Sequence, residues 1–236
     1  MQTYTHVPLG NYLVESLPIA AKNHVLARCE TVELAAGDKL CEPGEDYGYA
    51  WFPLTGLISQ GSKLRHHNPL DMGLIGSEGM LGATLALGVD AAPLQAVVTG
   101  AGTALRMRVA DLRRSLREND VLRQRIDHYL YIVFAELART ASCNRFHAIG
   151  PRLARCLLLA TDRTSTNRLH LTHESMAAML GVRRSGITVA ARALRDQGLI
   201  RYARGEIEIL DREGLKATAC ACYADWPSQR NGMSLT

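Results

Sequence analysis

Residues 172–210, THESMAAMLGVRRSGITVAARALRDQGLIRYARGEIEIL, constrain the fold of this chain more than any other stretch. Thr172 suits the N-cap of a helix, because its hydroxyl can accept a hydrogen bond from a free amide of the first turn. Met176, Ala177 and Leu180 then recur at helical spacing and form one apolar face. Gly181 stops that helix, where a left-handed backbone is often needed and glycine adopts it without strain. Beyond Val182, residues 183–197 read as a second helix with Ile187, Ala190, Ala191 and Leu194 turned inward.

Ala177, Gly181 and Ile187 stand at positions five, nine and fifteen of a segment that starts at His173. A small residue at the first lets two helices cross closely, glycine at the second makes the turn, and a branched residue at the third packs back. This spacing predicts a helix-turn-helix, whose second helix lies in the DNA major groove. Arg183, Arg184, Ser185, Thr188 and Arg192 fall on its outward side, which suits phosphate and base-edge contacts. The bland alternative is a helical hairpin with a solvated basic face. The sequel argues against it. Gly198-Leu199-Ile200 closes the second helix and opens a strand, Arg204-Gly205 makes a hairpin tip, and Ile207 and Ile209 alternate with Glu206 and Glu208 in a returning strand. That hairpin is a wing. Arg204 at its tip is placed to reach a phosphate, and Thr172 and His173 complete the candidate DNA-contacting set.

Charge agrees with this placement. The net charge is +4, but residues 142–236 hold 14 Lys+Arg against 8 Asp+Glu, which is +6, and residues 1–141 hold 13 against 15, which is −2. The basic part is the one with the helix-turn-helix, as DNA binding requires. At 236 residues the chain has room for two ordinary domains. No apolar run is long enough to span a bilayer, and the start lacks a signal peptide pattern, so a cytoplasmic protein with no membrane partner is expected. Scattered cysteines at 29, 41, 143, 156, 220 and 222 then suggest free thiols.

Residues 11–28 predict short helices around Pro18. From Thr31 the texture changes: thirteen of the 20 glycines lie before residue 110, and short apolar runs alternate with Gly, Pro and Asp. Strands are expected near 31–35, 39–41, 49–53, 56–60, 71–76, 95–99 and 103–108, in a compact antiparallel barrel or sandwich. Asp111 is expected to cap a first helical piece, and Asn119 or Asp120 to begin a long one. Along the latter, Leu122, Ile126, Tyr129, Val133 and Leu137 recur at spacings of four, three, four and four. That is a coiled-coil type of seam, read either as packing on the chain's own barrel or as a dimer interface. Gly150-Pro151 breaks the pattern and starts a new helix, with a hinge at 147–150. A short strand follows at 168–171, a last helix at 212–224, and a frayed tail from Pro227.

The stretches LTHESMAAMLGVRRSGITVAARALRDQGLIRY and GEIEILDREGL resemble the DNA-binding domain of CRP/FNR-type bacterial transcription regulators. AGDKLCEPGEDYGYAWFPLTGLIS is similar to the sensory β-roll of that family, the cyclic-nucleotide-binding fold. The resemblance implies an α+β chain: a jelly-roll-like antiparallel β-roll over 1–110, a dimerisation helix and hinge over 111–147, and a winged helix-turn-helix over 148–236. It implies a homodimer on an inverted-repeat operator in double-stranded DNA, with RNA polymerase as a further candidate partner. Leu122, Ile126, Tyr129, Val133 and Leu137 are then the dimer interface. The loop SEGMLGATLALG, residues 77–88, matches the family's effector loop, with Glu78, Gly79, Met80 and Gly82 in place. Where the family carries an Arg-Ser or Arg-Thr pair for the cyclic phosphate, this chain aligns Leu94-Gln95. An anion in a partly buried pocket needs a cation, so cyclic AMP is not expected to bind in the usual way, and the effector is unidentified. Arg184 best matches the family's base-reading arginine. Ser185 replaces a frequent Glu and Val189 a frequent second Arg, so the family's usual operator is not transferred. A constitutive regulator whose β-roll only supports dimerisation, and a sensor or adaptor without DNA binding, stand as alternatives.

No cofactor is implied. Cys143 with His147, and Cys220-Ala-Cys222, have ligand-like local spacings, but free cysteine is commonly a small buried apolar residue, and the expectation is no metal site. His66-His67 reads as a solvated loop tip. There is no GxSxG elbow, phosphate-cradling P-loop or HExxH helix, so no catalytic residue is assigned and no enzyme is expected.

Overall fold

A computed structural model describes residues 10–62, 70–164 and 166–224; His66-His67 and the tail lie outside them. Two short helices, α1 (Tyr12–Glu15) and α2 (Ile19–Leu26), precede strands β1 (Cys29–Leu34), β2 (Lys39–Cys41), β3 (Tyr49–Pro53), β4 (Leu57–Ser62), β5 (Leu70–Ile75), β6 (Gln95–Gly100) and β7 (Gly102–Arg108). The strands form two sheets, ordered β1-β7-β3 and β2-β6-β4-β5, and every pairing is antiparallel. Period-two alternation sets the faces: Ala50 and Phe52 are fully buried, while Tyr49 and Trp51 point outward and receive the Arg106 guanidinium on their rings.

Helix α3 (Val109–Glu118) starts at the extended Arg108. Asp111 therefore lies inside the first turn and does not cap it, although a carboxylate there still faces the positive end of the helix dipole. The long helix α4 (Asp120–Phe146) is capped by Asn119, whose Oδ1 accepts from the Leu122 amide at 3.0 Å. Leu122 and Ile126 have no exposed surface, and Tyr129 is buried. These three seam residues belong to the core of the chain's own β-roll, with Phe52, Met80 and Met107. The chain itself therefore covers the first three residues of the seam, while Val133 and Leu137 are only partly buried. A heptad-like stripe carries the same spacing whether a sheet or a second helix covers it. The exposed side of α4 carries Tyr131 and Phe134 instead.

The chain continues through α5 (Ile149–Thr164), β8 (Arg168–His170), α6 (His173–Leu180), α7 (Arg184–Asp196), β9 (Ile200–Ala203), β10 (Glu206–Ile209) and α8 (Arg212–Thr218). Strands β8, β10 and β9 make a small antiparallel sheet. The helix expected over 212–224 is interrupted: Ala219 and Cys220 are extended, and a single 3-10 turn, Ala221–Tyr223, follows. A second core gathers Leu153, Leu157, Met176, Ile187, Leu194 and Ile207, and Leu57 of β4 packs into it.

The two cores are joined by ionic contacts as well. Arg163 of α5 is 1% exposed. Its Nε donates to Glu78 at 2.7 Å, and an Nη donates to both oxygens of Glu136 on α4 at 2.8 Å. The Arg163 carbonyl accepts from both the amide and the hydroxyl of Ser77. Gly76 permits this approach, because a Cβ there would lie 2.5 Å from the Arg163 Cβ.

Candidate nucleic-acid interface

The turn between α6 and α7 follows from its residues. Thr172 Oγ1 accepts from the Ser175 amide at 3.1 Å and caps α6. Gly181 ends it at φ 62°, ψ 40°, and an added Cβ would fall 2.7 Å from the flexible tip of Leu70. Gly181→Ala is therefore expected to cost about 1–2 kcal/mol, mostly backbone strain, read as a lower urea midpoint. A neutral result would mean that the turn relaxes without strain.

Ile187, Ala190, Ala191 and Leu194 are buried, which turns Arg183, Arg184, Ser185, Thr188 and Arg192 outward. Among the described residues Arg183, Arg184 and Arg204 have no carboxylate partner, whereas Arg192 reaches Asp196 at 3.5 Å. Val189, which stands outside the expected contact set, is 71% exposed on the same helix. An apolar side chain in that position suits a thymine methyl. Its exposure could be anticipated from helical periodicity, but apolar character alone does not mark a contact residue.

His173 couples three elements. Its ring stacks on Tyr202 of β9, with centroids 4.7 Å apart and planes 12° from parallel. Its Nδ1 lies 3.1 Å from the Thr188 hydroxyl, which also donates to the Arg184 carbonyl. Burial, then the Arg184 charge, hold the imidazole below its ordinary pKa. His173 thus supports the recognition helix and the wing rather than projecting freely. At the wing tip Ala203 faces Glu206, so Arg204-Gly205 is a two-residue loop with φ of 50° and 85°. Positive φ at both positions is the type I′ geometry that matches strand twist, and it leaves the Arg204 side chain exposed.

The expected effector residues divide. Glu78, Met80, Gly82 and Leu94 line a 340 Å³ cavity between the β-roll and α4, closed on the other side by Tyr129, Val133 and Leu137. Gly79 sits against the Tyr129 ring, and Gln95 donates to Glu42; neither lines the cavity. The Glu78 carboxylate is already engaged by the Gly76 amide and Arg163. Among the described lining residues there is no Lys or Arg, and Glu78 and Glu136 are the charged ones. No helix among the described residues is long and apolar enough to cross a membrane.

Known proteins share this fold. Residues 151–218 match the Crp-like helix-turn-helix domain. The transcriptional regulator SdrP of Thermus thermophilus is 26% identical over 200 residues, covering 80% of this chain and 94% of SdrP. FixK2 of Bradyrhizobium japonicum superposes with a TM-score of 0.70 at 13% identity, covering 82% of this chain and 98% of FixK2. The c-di-GMP responsive regulator CLP of Xanthomonas campestris gives 0.65 at 16%, covering 81% and 99%. A β-roll, a long helix and a matched Crp-like helix-turn-helix thus occur together in one chain, which over most of its length is similar to transcription regulators of the CRP/FNR type.

Proposed function

We propose that this regulator acts as a homodimer on an inverted-repeat operator, each protomer placing α7 in a major groove and Arg204 on the flanking backbone. The observation that carries this reading is the set of exposed arginines, Arg183, Arg184 and Arg204, that have no carboxylate partner among the described residues and lie on the recognition helix and wing. Tyr131 and Phe134, 67% and 72% exposed on α4, offer an aromatic surface for a second copy. We assign residues 1–110 to sensing, 111–147 to dimerisation and 148–236 to DNA, with RNA polymerase as a partner of the DNA-bound dimer.

The cavity is the effector site in this reading. Two carboxylates and, among the described residues, no lining cation make it a poor place for a cyclic phosphate and favour a neutral or cationic ligand with an apolar body. A signal there reaches α4 through Val133 and Leu137, and reaches α5 through Glu78 and Arg163. The rival is a constitutive regulator whose β-roll only supports dimerisation.

Selection of bound sequences from random duplex DNA tests the function. An enriched palindrome with half-sites about one helical turn apart, bound more weakly as salt rises, is the expected result. A protein that enriches nothing, with or without cell extract, would refute it. A melting temperature that rises with a ligand separates the gated reading from the constitutive one.

A further inference from the structure

Cys143, His147, Cys220 and Cys222 converge although the two pairs are far apart in the chain. Their candidate ligand atoms all lie within 4.8 Å of one another. We propose that these four side chains form a closed, tetrahedral Cys3His zinc site. It would clamp the end of α4 to the turn that follows α8.

The geometry supports this coordination. Zinc–sulfur and zinc–nitrogen bonds of ordinary length imply tetrahedron edges of about 3.8 Å between two sulfurs and about 3.6 Å between sulfur and nitrogen. Cys143 Sγ and Cys220 Sγ are 3.6 Å apart, and Cys222 Sγ and His147 Nδ1 are also 3.6 Å apart. The remaining separations, none above 4.8 Å, would contract by at most about 1.2 Å to reach those edges. Backbone bonds already hold both pairs. The His147 amide donates to Cys143 O at 3.1 Å on the last turn of α4, and the Tyr223 amide donates to Cys220 O at 3.0 Å. The Cys220 amide donates to Pro151 O at 3.3 Å, which fixes the second pair against α5. Cys143 and Cys220 are buried, while His147 and Cys222 are partly exposed and give an ion a way in.

The donor set selects the metal class. Three thiolates and an imidazole are soft and borderline ligands, unsuited to magnesium or calcium. Four protein donors leave no open position, which marks a structural site. On binding, the three thiols give up their protons to solvent while histidine binds neutral, so nothing is oxidised or reduced. Three thiolates around a divalent ion leave one negative charge. The Arg155 guanidinium acts on all three sulfurs through its charge, and among the described residues its buried Nε has no hydrogen-bond partner.

The position gives the site a consequence. The first pair ends just before α5 and the second follows α8, so the ion would bracket the matched DNA-binding segment at both ends. Loss of the ion would free the joint between α4 and α5, and with it the orientation of the recognition helix. That last consequence rests on the proposed DNA-binding mode; the site itself does not.

The test uses the full reduced chain. Elemental analysis is expected to find about one zinc per chain, and cobalt(II) added to stripped protein is expected to give tetrahedral d–d bands with a thiolate charge-transfer band. The double variant Cys220→Ser/Cys222→Ser should lose the ion and the charge-transfer band, while Cys156→Ser keeps both. Zinc release should lower the melting temperature whether or not DNA is present. Three outcomes would overturn the proposal. In one, the reduced wild-type chain takes up neither zinc nor cobalt. In another, Cys156→Ser loses metal as fully as the double variant. In the third, peptide mapping finds a Cys143–Cys220 disulfide in metal-free native protein. The cobalt spectrum of the wild-type chain keeps the test decisive if the variants fold poorly.

Discussion

Arg163→Met is expected to destabilise the chain by about 3–5 kcal/mol, because removing one partner of a buried ionic group strands the others. Two carboxylates lose their counter-charge at once: the side chains of Glu78 and Glu136 are 8% and 14% exposed. Burial raises the Glu78 pKa above its ordinary value, and the Arg163 charge is the main opposing influence. Without Arg163 the folded Glu78 pKa rises further. A carboxyl with a raised folded pKa contributes stability below its unfolded pKa and loses it as pH rises. The penalty should therefore be larger at pH 8 than at pH 5. Urea unfolding at both values measures it. The triple variant Arg163→Met/Glu78→Gln/Glu136→Gln should recover a large part of the loss, since an uncharged set of similar shape leaves no stranded charge. A loss below about 1 kcal/mol at pH 8 would mean that water screens the group as it does a surface pair. The same triad joins the cavity wall, α4 and α5.

Arg184→Ala is expected to weaken binding to the selected operator by about 1–3 kcal/mol and to relax preference at one base position. Arg184 opens α7, and N-terminal residues of a recognition helix meet base edges. Arg183→Ala and Arg204→Ala should behave differently. Loss of a phosphate contact weakens all sequences alike and reduces the salt slope by about 1. Gel-shift titrations on operator and random duplexes at several salt concentrations distinguish the two classes. Equal loss on both duplexes for Arg184→Ala would reduce that residue to a phosphate contact.

Most element positions could be read from the sequence, because the signals behind them are local. Gly181 takes the left-handed turn, Thr172 and Asn119 cap their helices, and Ala203 to Glu206 closes a two-residue hairpin. Asp111 was one misplacement, since a carboxylate favours the cap and the first turn for related reasons. The split after α8 was another: Ala219 and Cys220 carry no breaker, and docking of the Cys220 amide on Pro151 holds them extended.

The sequence by itself determined the winged helix-turn-helix, the outward arginines of α7 and the strand-rich first half, because periods of 3.6 and two residues and turn chemistry act over a few residues. Only the tertiary structure decided what covers each face. It buried Leu122, Ile126 and Tyr129 under the β-roll and left Tyr131 and Phe134 outside. It also paired Arg163 with Glu78 across 85 residues and brought Cys143 to Cys220 across 77. Spacing along a helix records that a face is apolar, but not which surface it meets. Side chains this far apart in the chain meet only because packing brings their elements together.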